Sequence, residues 1–373
     1  MNKKIRILQV LGGLDAGGAE TFVMNIYRNI DRNKIQFDFI VHNKEKNFYL
    51  DEIKKLGGRV YYVPKYNGFN HFQYINAWKN FFAEHSEYKI IHSHVRSTAS
   101  IILKIAKKYG LTTICHSHST SNGKGFSALV KKIYQKKIVY YADYLFGCSK
   151  EANEWLYGKK YASKSFILNN AIDTSKFVYN YKTREELRKK LKIDNKYVIG
   201  QVGRLISVKN HLFSLNLLKE YLKINKDVFL LIIGDGELYD VLNKEIKRLN
   251  IIDNVLILKN RSDVNCLMQA MDAFIMPSLY EGLPLSLVEA QTASLPCVIS
   301  KNVNAGIIND LVKRLSLDED KKLWIEQFEK FKTNERINRI EEIKEAGFDI
   351  ESNVIWLSEF YQNNWEKWFK CML

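Results

Sequence analysis

Short apolar runs rich in β-branched residues alternate with amphipathic stretches along nearly the whole chain, and halfway along the alternation starts again. The first series is Ile5–Val10, Phe37–Val41, Arg59–Val63, Lys89–His92, Thr112–Cys115 and Tyr144–Cys148, with helical patterns such as Glu20–Ile30 and Ser97–Tyr109 between them. A strand buried on both faces reads as a continuous apolar run, and a parallel neighbour needs a helical crossover. This order therefore predicts a parallel sheet with helices on both faces. The second series is Tyr197–Val202, Phe229–Ile233, Val255–Leu258, Ala273–Met276 and Cys297–Ser300. The fold class expected is α/β, two doubly wound Rossmann-like domains, for which 373 residues is ample length. Between the halves, NNAIDTSKFVYNYKTREELRKKL (169–191) reads as a linker that ends in a charged helix. From Phe348 onward, Ile350, Val354, Trp356, Leu357, Phe360 and Tyr361 recur at helical spacing and read as a closing helix.

No apolar run approaches the roughly 20 residues that span a bilayer, so no transmembrane helix is expected. The opening MNKKIRILQVLGG lacks a small-residue cleavage site and reads as a first strand, which points to a cytoplasmic protein. Five scattered cysteines without C-x-x-C spacing fit buried thiols in a reducing compartment. The formal charge of +16 suits nucleic acid, an anionic membrane surface or an anionic substrate. It is spread over both halves with no interleaved aromatic and basic motif, so no nucleic-acid partner is expected.

Ligands of open α/β sheets bind beyond the carboxyl ends of the strands. The first strand is followed by Gly12-Gly13-Leu-Asp-Ala-Gly17-Gly18-Ala-Glu20, a glycine turn entering a helix, which suits either phosphate binding or tight turning. It matches neither the dinucleotide nor the Walker fingerprint. His92-Ser-His94 and His116-Ser-His118 end two strands; they invite a zinc hypothesis, but no acidic partner stands at metal spacing, and polar histidines lining a cleft are the expectation. Arg204 and Lys209 follow a second-half strand and could grip a diphosphate, the guanidinium by its fork and the ammonium as a point charge. Gly234-Asp-Gly236-Glu is a similar turn with a weaker message. In SLYEGLPLSLVEAQ, Glu281 lies on a loop and Glu289 inside the helix that starts near Pro284. Amides at that helix start form an anion site, and the two carboxylates flank it as acceptors for hydroxyls. A sugar nucleotide is the ligand suggested.

With these motifs the sequence resembles the retaining glycosyltransferases of GT-B architecture, in the family 4 group that builds bacterial capsule and exopolysaccharide. The resemblance rests on the E-x7-E motif from Pro277 to Gln291, the Arg204 and Lys209 pair, GGAE at Gly17 to Glu20, and NAID at Asn170 to Asp173. It implies an acceptor-binding domain at 1–168, a nucleotide-sugar domain at 169–347 facing it across a central cleft, and a helix at 348–373 packed back on the first domain. Glu281 is implied to contact the donor sugar and Glu289 the ribose, with Arg204 and Lys209 on the diphosphate. Gly282, Leu283 and Leu285 would complete the phosphate site, Arg261 would meet the base, Gly17 and Gly18 would close over phosphates, and His118, or else His116, would assist at the reacting sugar. The implied reaction moves a sugar, from a UDP-sugar, to a glycan or polyprenyl-diphosphate-linked acceptor with retention and without a metal or other cofactor. Ser294 stands where many relatives have glycine, and 301–316 lacks a glutamate-rich continuation.

Lys131, Lys132, Lys136 and Lys137 interleave with Leu129, Val130, Ile133, Tyr134, Ile138 and Tyr141. This is the pattern of a basic amphipathic helix, either core-facing or weakly bound to the inner face of a membrane. A sugar-nucleotide epimerase or hydrolase, a noncatalytic nucleotide-sugar-binding protein and a zinc hydrolase stay open as alternatives.

Overall fold

The computed structural model describes residues 4–370, apart from Ala16, Lys46, 120–125, 282–283 and 304–306; for 126–130 and 368–370 it describes the backbone alone. The chain divides into one unit of Met1–Ala171 with Ile350–Leu373 and a second of Ile172–Asp349.

The first unit holds a seven-stranded sheet in the order β3-β2-β1-β4-β5-β6-β7. Its strands are β1 (Ile5–Leu11), β2 (Ile35–Val41), β3 (Val60–Tyr62), β4 (Ile90–Ser93), β5 (Thr112–Ser117), β6 (Tyr144–Gly147) and β7 (Phe166–Ile167). The second holds a six-stranded sheet, β10-β9-β8-β11-β12-β13. These are β8 (Tyr197–Val202), β9 (Val228–Ile233), β10 (Val255–Leu258), β11 (Ala273–Met276), β12 (Cys297–Ser300) and β13 (Val312–Leu315). The strand pairs are parallel. The edge strands β7 and β13 escape sequence reading because neither carries an apolar run of strand length, unlike the edges β3 and β10. Phe166 and Ile167 are two exposed residues, and Val312–Leu315 carries Lys313 and Arg314 outward, which interrupts the apolar signal.

Two expectations about boundaries need correction. The first unit runs to Ala171, which packs in its core, and the second runs to Asp349, whose carboxylate accepts from the Thr174 hydroxyl at 2.6 Å. The charged helix of the expected linker, Tyr181–Leu191, is part of the second unit. Its Arg184 and Arg188 reach inward to Asp272 at 2.5 and 3.1 Å, and Asp272 also accepts the Val198 amide at 2.7 Å. A stretch so charged looks like solvent-facing chain in sequence, because a single buried carboxylate far away cannot be read from it. The closing helix, Ile350–Lys370, belongs to the first unit and places Ile350, Val354, Leu357, Tyr361 and Trp365 in its core.

Replacing Asp272 by Ala leaves two inward-pointing guanidinium groups without their carboxylate. We expect a loss of about 3 kcal/mol, read as a lower denaturation midpoint of the second unit.

Candidate nucleotide-sugar site

In the second sheet the order reverses between β8 and β11, and this switch point gathers the expected residues. Arg204 and Lys209 lie just beyond β8, Glu281 just beyond β11, and the two strands are neighbours although some seventy positions separate them. Two hydrogen bonds lock their loops together and a third braces the β8 loop against its own strand. Leu279 N–H donates to the Val208 carbonyl at 2.8 Å, the Asn210 amide donates to the Pro277 carbonyl at 3.1 Å, and Gln201 donates to the Lys209 carbonyl at 2.9 Å. Glu281 is further pinned by a parallel bridge to Val303.

The outcome is an ion pair, Lys209 Nζ to Glu281 Oε1 at 2.6 Å, with both side chains mostly buried. The approach is off-line for a hydrogen bond, and Oε1 has no hydrogen-bond donor among the described residues. Glu281 thus keeps acceptor capacity while neighbouring a cation. The backbone at Gly203 admits this lysine: a Cβ there would stand 3.2 Å from Lys209 Cε. Gly234 does a similar job one strand over, because a Cβ on it would overlap the Gly203 carbonyl oxygen. The Gly234–Gly236 turn is therefore needed for close backbone approach as well as for a helix start. Arg204 is exposed, with its guanidinium in no ion pair among the described residues.

The motif helix runs Leu285–Thr292 with Pro284 at its N-cap, so Leu285 opens the helix and Glu289 sits in its second turn. Burial lifts the Glu289 carboxyl to about 7, and no ion pair compensates it among the described residues. Gly282 and Leu283 lie outside the described residues. The helix closes on Ser294, whose φ of +54° is the left-handed conformation that glycine adopts most readily; its hydroxyl donates to the Ile337 carbonyl.

In the first unit, Gly17 caps the helix Gly18–Asn29, and the Glu20 side chain folds back over Gly17. The positive end of this helix already faces its own carboxylate. His118 follows β5 and is half-buried, whereas His92, His94 and His116 are buried. The ring nitrogens of His92, His94 and His116 approach within 4.8 Å of one another, a distance a metal could accept. Of these, only His116 Nε2 has no partner among the described residues, since the others bond to Tyr361, Gln9, His118 or one another.

The description "Glycosyl transferases group 1" matches residues 183–350, and "Glycosyltransferase Family 4" matches 16–176. The chain is 35% identical over 377 residues to the putative glycosyltransferase EpsF of Bacillus subtilis, covering 97% of each. It belongs to the family 4 type of glycosyltransferase. A UDP-Gal:alpha-D-GlcNAc-diphosphoundecaprenol alpha-1,3-galactosyltransferase of Escherichia coli is 30% identical over 242 residues, 61% of this chain and 60% of that one. The crystal structure of Anabaena HepE in complex with UDP superimposes with a TM-score of 0.69 at 16% identity, covering 99% of both chains. The fold is thus GT-B, built from two Rossmann-like units.

The glycosyltransferase holds Arg261 in a two-pronged pair with Asp263, at 2.7 and 2.5 Å, so its fork is occupied. Sequence reading missed Gln201, Asn210 and His211. Gln201 and Asn210 act through main-chain carbonyls, of Lys209 in the adjoining loop and of distant Pro277, which leaves no spacing signature. His211 opens the helix after Lys209 with both ring nitrogens buried and without partners among the described residues, and burial lowers it to about 4.

The raised Glu289 carboxyl gives a pH signature. The folded state holds this proton more tightly than the unfolded state, so its destabilising effect is absent below the ordinary carboxyl range and develops as pH rises from about 4.5 to about 7. We expect Glu289→Gln to raise the melting temperature by a few degrees at pH 8 and by nothing at pH 4, measured by calorimetry.

Proposed function

We propose that this glycosyltransferase moves a sugar from a UDP-sugar to a glycan or polyprenyl-diphosphate-linked acceptor, with retention at the anomeric carbon, in cell-surface polysaccharide assembly. The observation that carries the reading is the Lys209–Glu281 pair at the switch point, beside Arg204 and ahead of the Leu285–Thr292 helix. A diphosphate brings negative charge that Lys209 and Arg204 can share, and its approach frees the Glu281 carboxylate for sugar hydroxyls. Glu289, half-buried and in no ion pair among the described residues, is an acceptor suited to the ribose hydroxyls. Contact with the base requires Arg261 to leave Asp263, or main-chain groups of the same loop to serve instead. In the first unit, His118 offers a ring nitrogen to a sugar hydroxyl. The names of the Escherichia coli relative and of the Anabaena complex support UDP as the carrier, and the former supports a lipid-diphosphate acceptor.

In the reaction, the bond from the anomeric carbon to the donor phosphate oxygen breaks, and the acceptor hydroxyl oxygen bonds to that carbon on the same face. The acceptor proton passes to the departing phosphate oxygen. Arg204, Lys209 and the helix amides stabilise the charge developing on the diphosphate, a task that otherwise falls to a metal ion. Turnover is therefore expected to persist in a chelator.

With a panel of nucleotide sugars and lipid extract as acceptor, UDP release is expected from one donor, with Glu281→Ala lowering turnover about 100-fold. Product with inverted anomeric configuration, or free sugar as the sole product, would overturn the assignment. Glu289→Gln should weaken UDP binding about tenfold, the worth of one charge-assisted hydrogen bond.

We also infer weak peripheral membrane binding through the first unit. Lys131, Lys132, Lys136 and Lys137 are exposed together with Ile133 and Tyr140, while the side chains of Leu129 and Val130 lie outside the described residues. Tyr134 bonds to Tyr66 at 3.2 Å, which ties this helix to the start of the earlier helix His71–Glu84, where Phe69 and Phe72 are exposed. Among the described residues, no helix is long and apolar enough to cross a membrane. Sedimentation with anionic vesicles should exceed that with neutral ones and fall when the four lysines are changed to glutamine.

A further inference from the structure

The buried histidines of the first unit are joined to β1 and to the closing helix. His116 Nδ1 lies 3.2 Å from His92 Nε2, and His92 Nδ1 lies 2.7 Å from the Tyr361 hydroxyl. The Gln9 side-chain nitrogen is 3.4 Å from that hydroxyl, and its oxygen is 2.8 Å from His94 Nε2. His94 Nδ1 lies 2.8 Å from His118 Nε2. The chain ends at two buried atoms with no partner among the described residues, His116 Nε2 and His118 Nδ1.

We propose that these six side chains form one hydrogen-bonded chain whose direction is set by the Tyr361 hydroxyl, which makes Tyr361 and Gln9 positioning residues that present His118 as an acceptor through Nδ1. A neutral imidazole carries one N–H, so a ring that donates on one side must accept on the other. An amide side chain likewise offers a donor to one neighbour and an acceptor to the other. Fixing the Tyr361 hydroxyl fixes the rest, and two directions use its proton within the chain; a third arrangement, in which its oxygen accepts from both His92 and Gln9, leaves the buried hydroxyl proton with no acceptor among the six side chains. In one, Tyr361 donates to His92 and receives from the Gln9 amino group. In the other, His92 donates to Tyr361, which donates to a Gln9 amide turned by half a revolution.

The distances select the first. The 2.7 Å from Tyr361 to His92 suits an O–H donor and lies at the short end of the N–H range, so the Gln9 contact discriminates. The 3.4 Å to Gln9 is too long for an O–H bond and fits a weak N–H contact. All four rings then carry their proton on Nε2, and reversal would put all four on Nδ1. Burial keeps the rings neutral, holding His92 and His118 at about 3 and His94 and His116 well below the ordinary histidine range. His118 Nδ1 is thus a lone pair suited to a hydroxyl that donates, a consequence resting on the reading of His118 as a sugar contact.

The rival use of these rings, a metal, fits the geometry less well. His92 and His94 are stacked at 4.5 Å between centroids, and each spends both nitrogens on the chain.

Long-range proton–nitrogen correlation spectra of protein with isotope-labelled histidine, recorded without donor, report the tautomer of each ring. The expected result is four neutral Nε2–H rings. Nδ1–H tautomers, a charged ring or metal-bound nitrogens would overturn the proposal. Tyr361→Phe should mix the tautomers at both ends, and Gln9→Met should disturb only His94 and His118. In the donor assay, Tyr361→Phe should lower turnover about fivefold to tenfold, the worth of one neutral hydrogen bond, with nucleotide affinity unchanged. A Tyr361→Phe protein that keeps the Nε2 tautomers and full turnover removes the role of Tyr361. If the variants fail to fold, the wild-type spectrum alone decides the direction. Because the spectra need no substrate, failure to find a sugar donor counts against the proposed function and not against the chain.

Discussion

Parallel pairing between strands distant in sequence is the constraint on which the rest of this structure depends. In each sheet the order reverses once, so that β1 meets β4 and β8 meets β11. Chain connections leave the sheet in opposite directions at such a point, and the loops beyond it diverge. At β8 and β11 the diverging loops are tied by Leu279 to Val208 and by Asn210 to Pro277, and this brings Lys209 to Glu281. At β1 and β4 the same geometry sets Gln9 beside His92 and His94. The candidate site residues of both units therefore lie where the sheet topology, not the local sequence, brings them together.

Desolvation then gives these residues their properties. Burial lifts the Glu289 carboxyl to about 7 with no cation to offset it among the described residues, an arrangement that weakens the fold once the group is charged. Lys209 and Glu281 satisfy each other imperfectly, in contact but off-line, so an entering anion can replace one partner for the other. Asp272 shows the contrasting solution, with two arginines and a main-chain amide around a single carboxylate. A fully paired group stabilises, whereas a partly paired one is available for binding.

The closing helix illustrates how one element can serve packing and polarity together. Its apolar face fills the first core with Ile350, Val354, Leu357 and Trp365, and in the same register Tyr361 brings a hydroxyl to His92 and Gln9. Helical periodicity made that face visible in the sequence. It gave no sign that the tyrosine oxygen would meet a histidine 269 residues away.

Local information in the sequence determined much of this protein. Apolar runs of strand length and helical spacing between them specify two parallel α/β sheets, because burial on both faces leaves a continuous apolar signature. The E-x7-E stretch and the Arg204 and Lys209 pair could be located because their residue types and spacings are contiguous. Edge strands β7 and β13 were invisible, since neither carries an apolar run of strand length. The tertiary structure alone decided that Tyr181–Leu191 is core-bound and not a tether, that Arg261 is engaged by Asp263, and that Glu20 covers its own helix start. It also separated half-buried His118 from buried His116, two residues the sequence treats alike. Each of these depends on a partner's position or on exclusion from water, and neither quantity exists until distant segments of the chain have packed together.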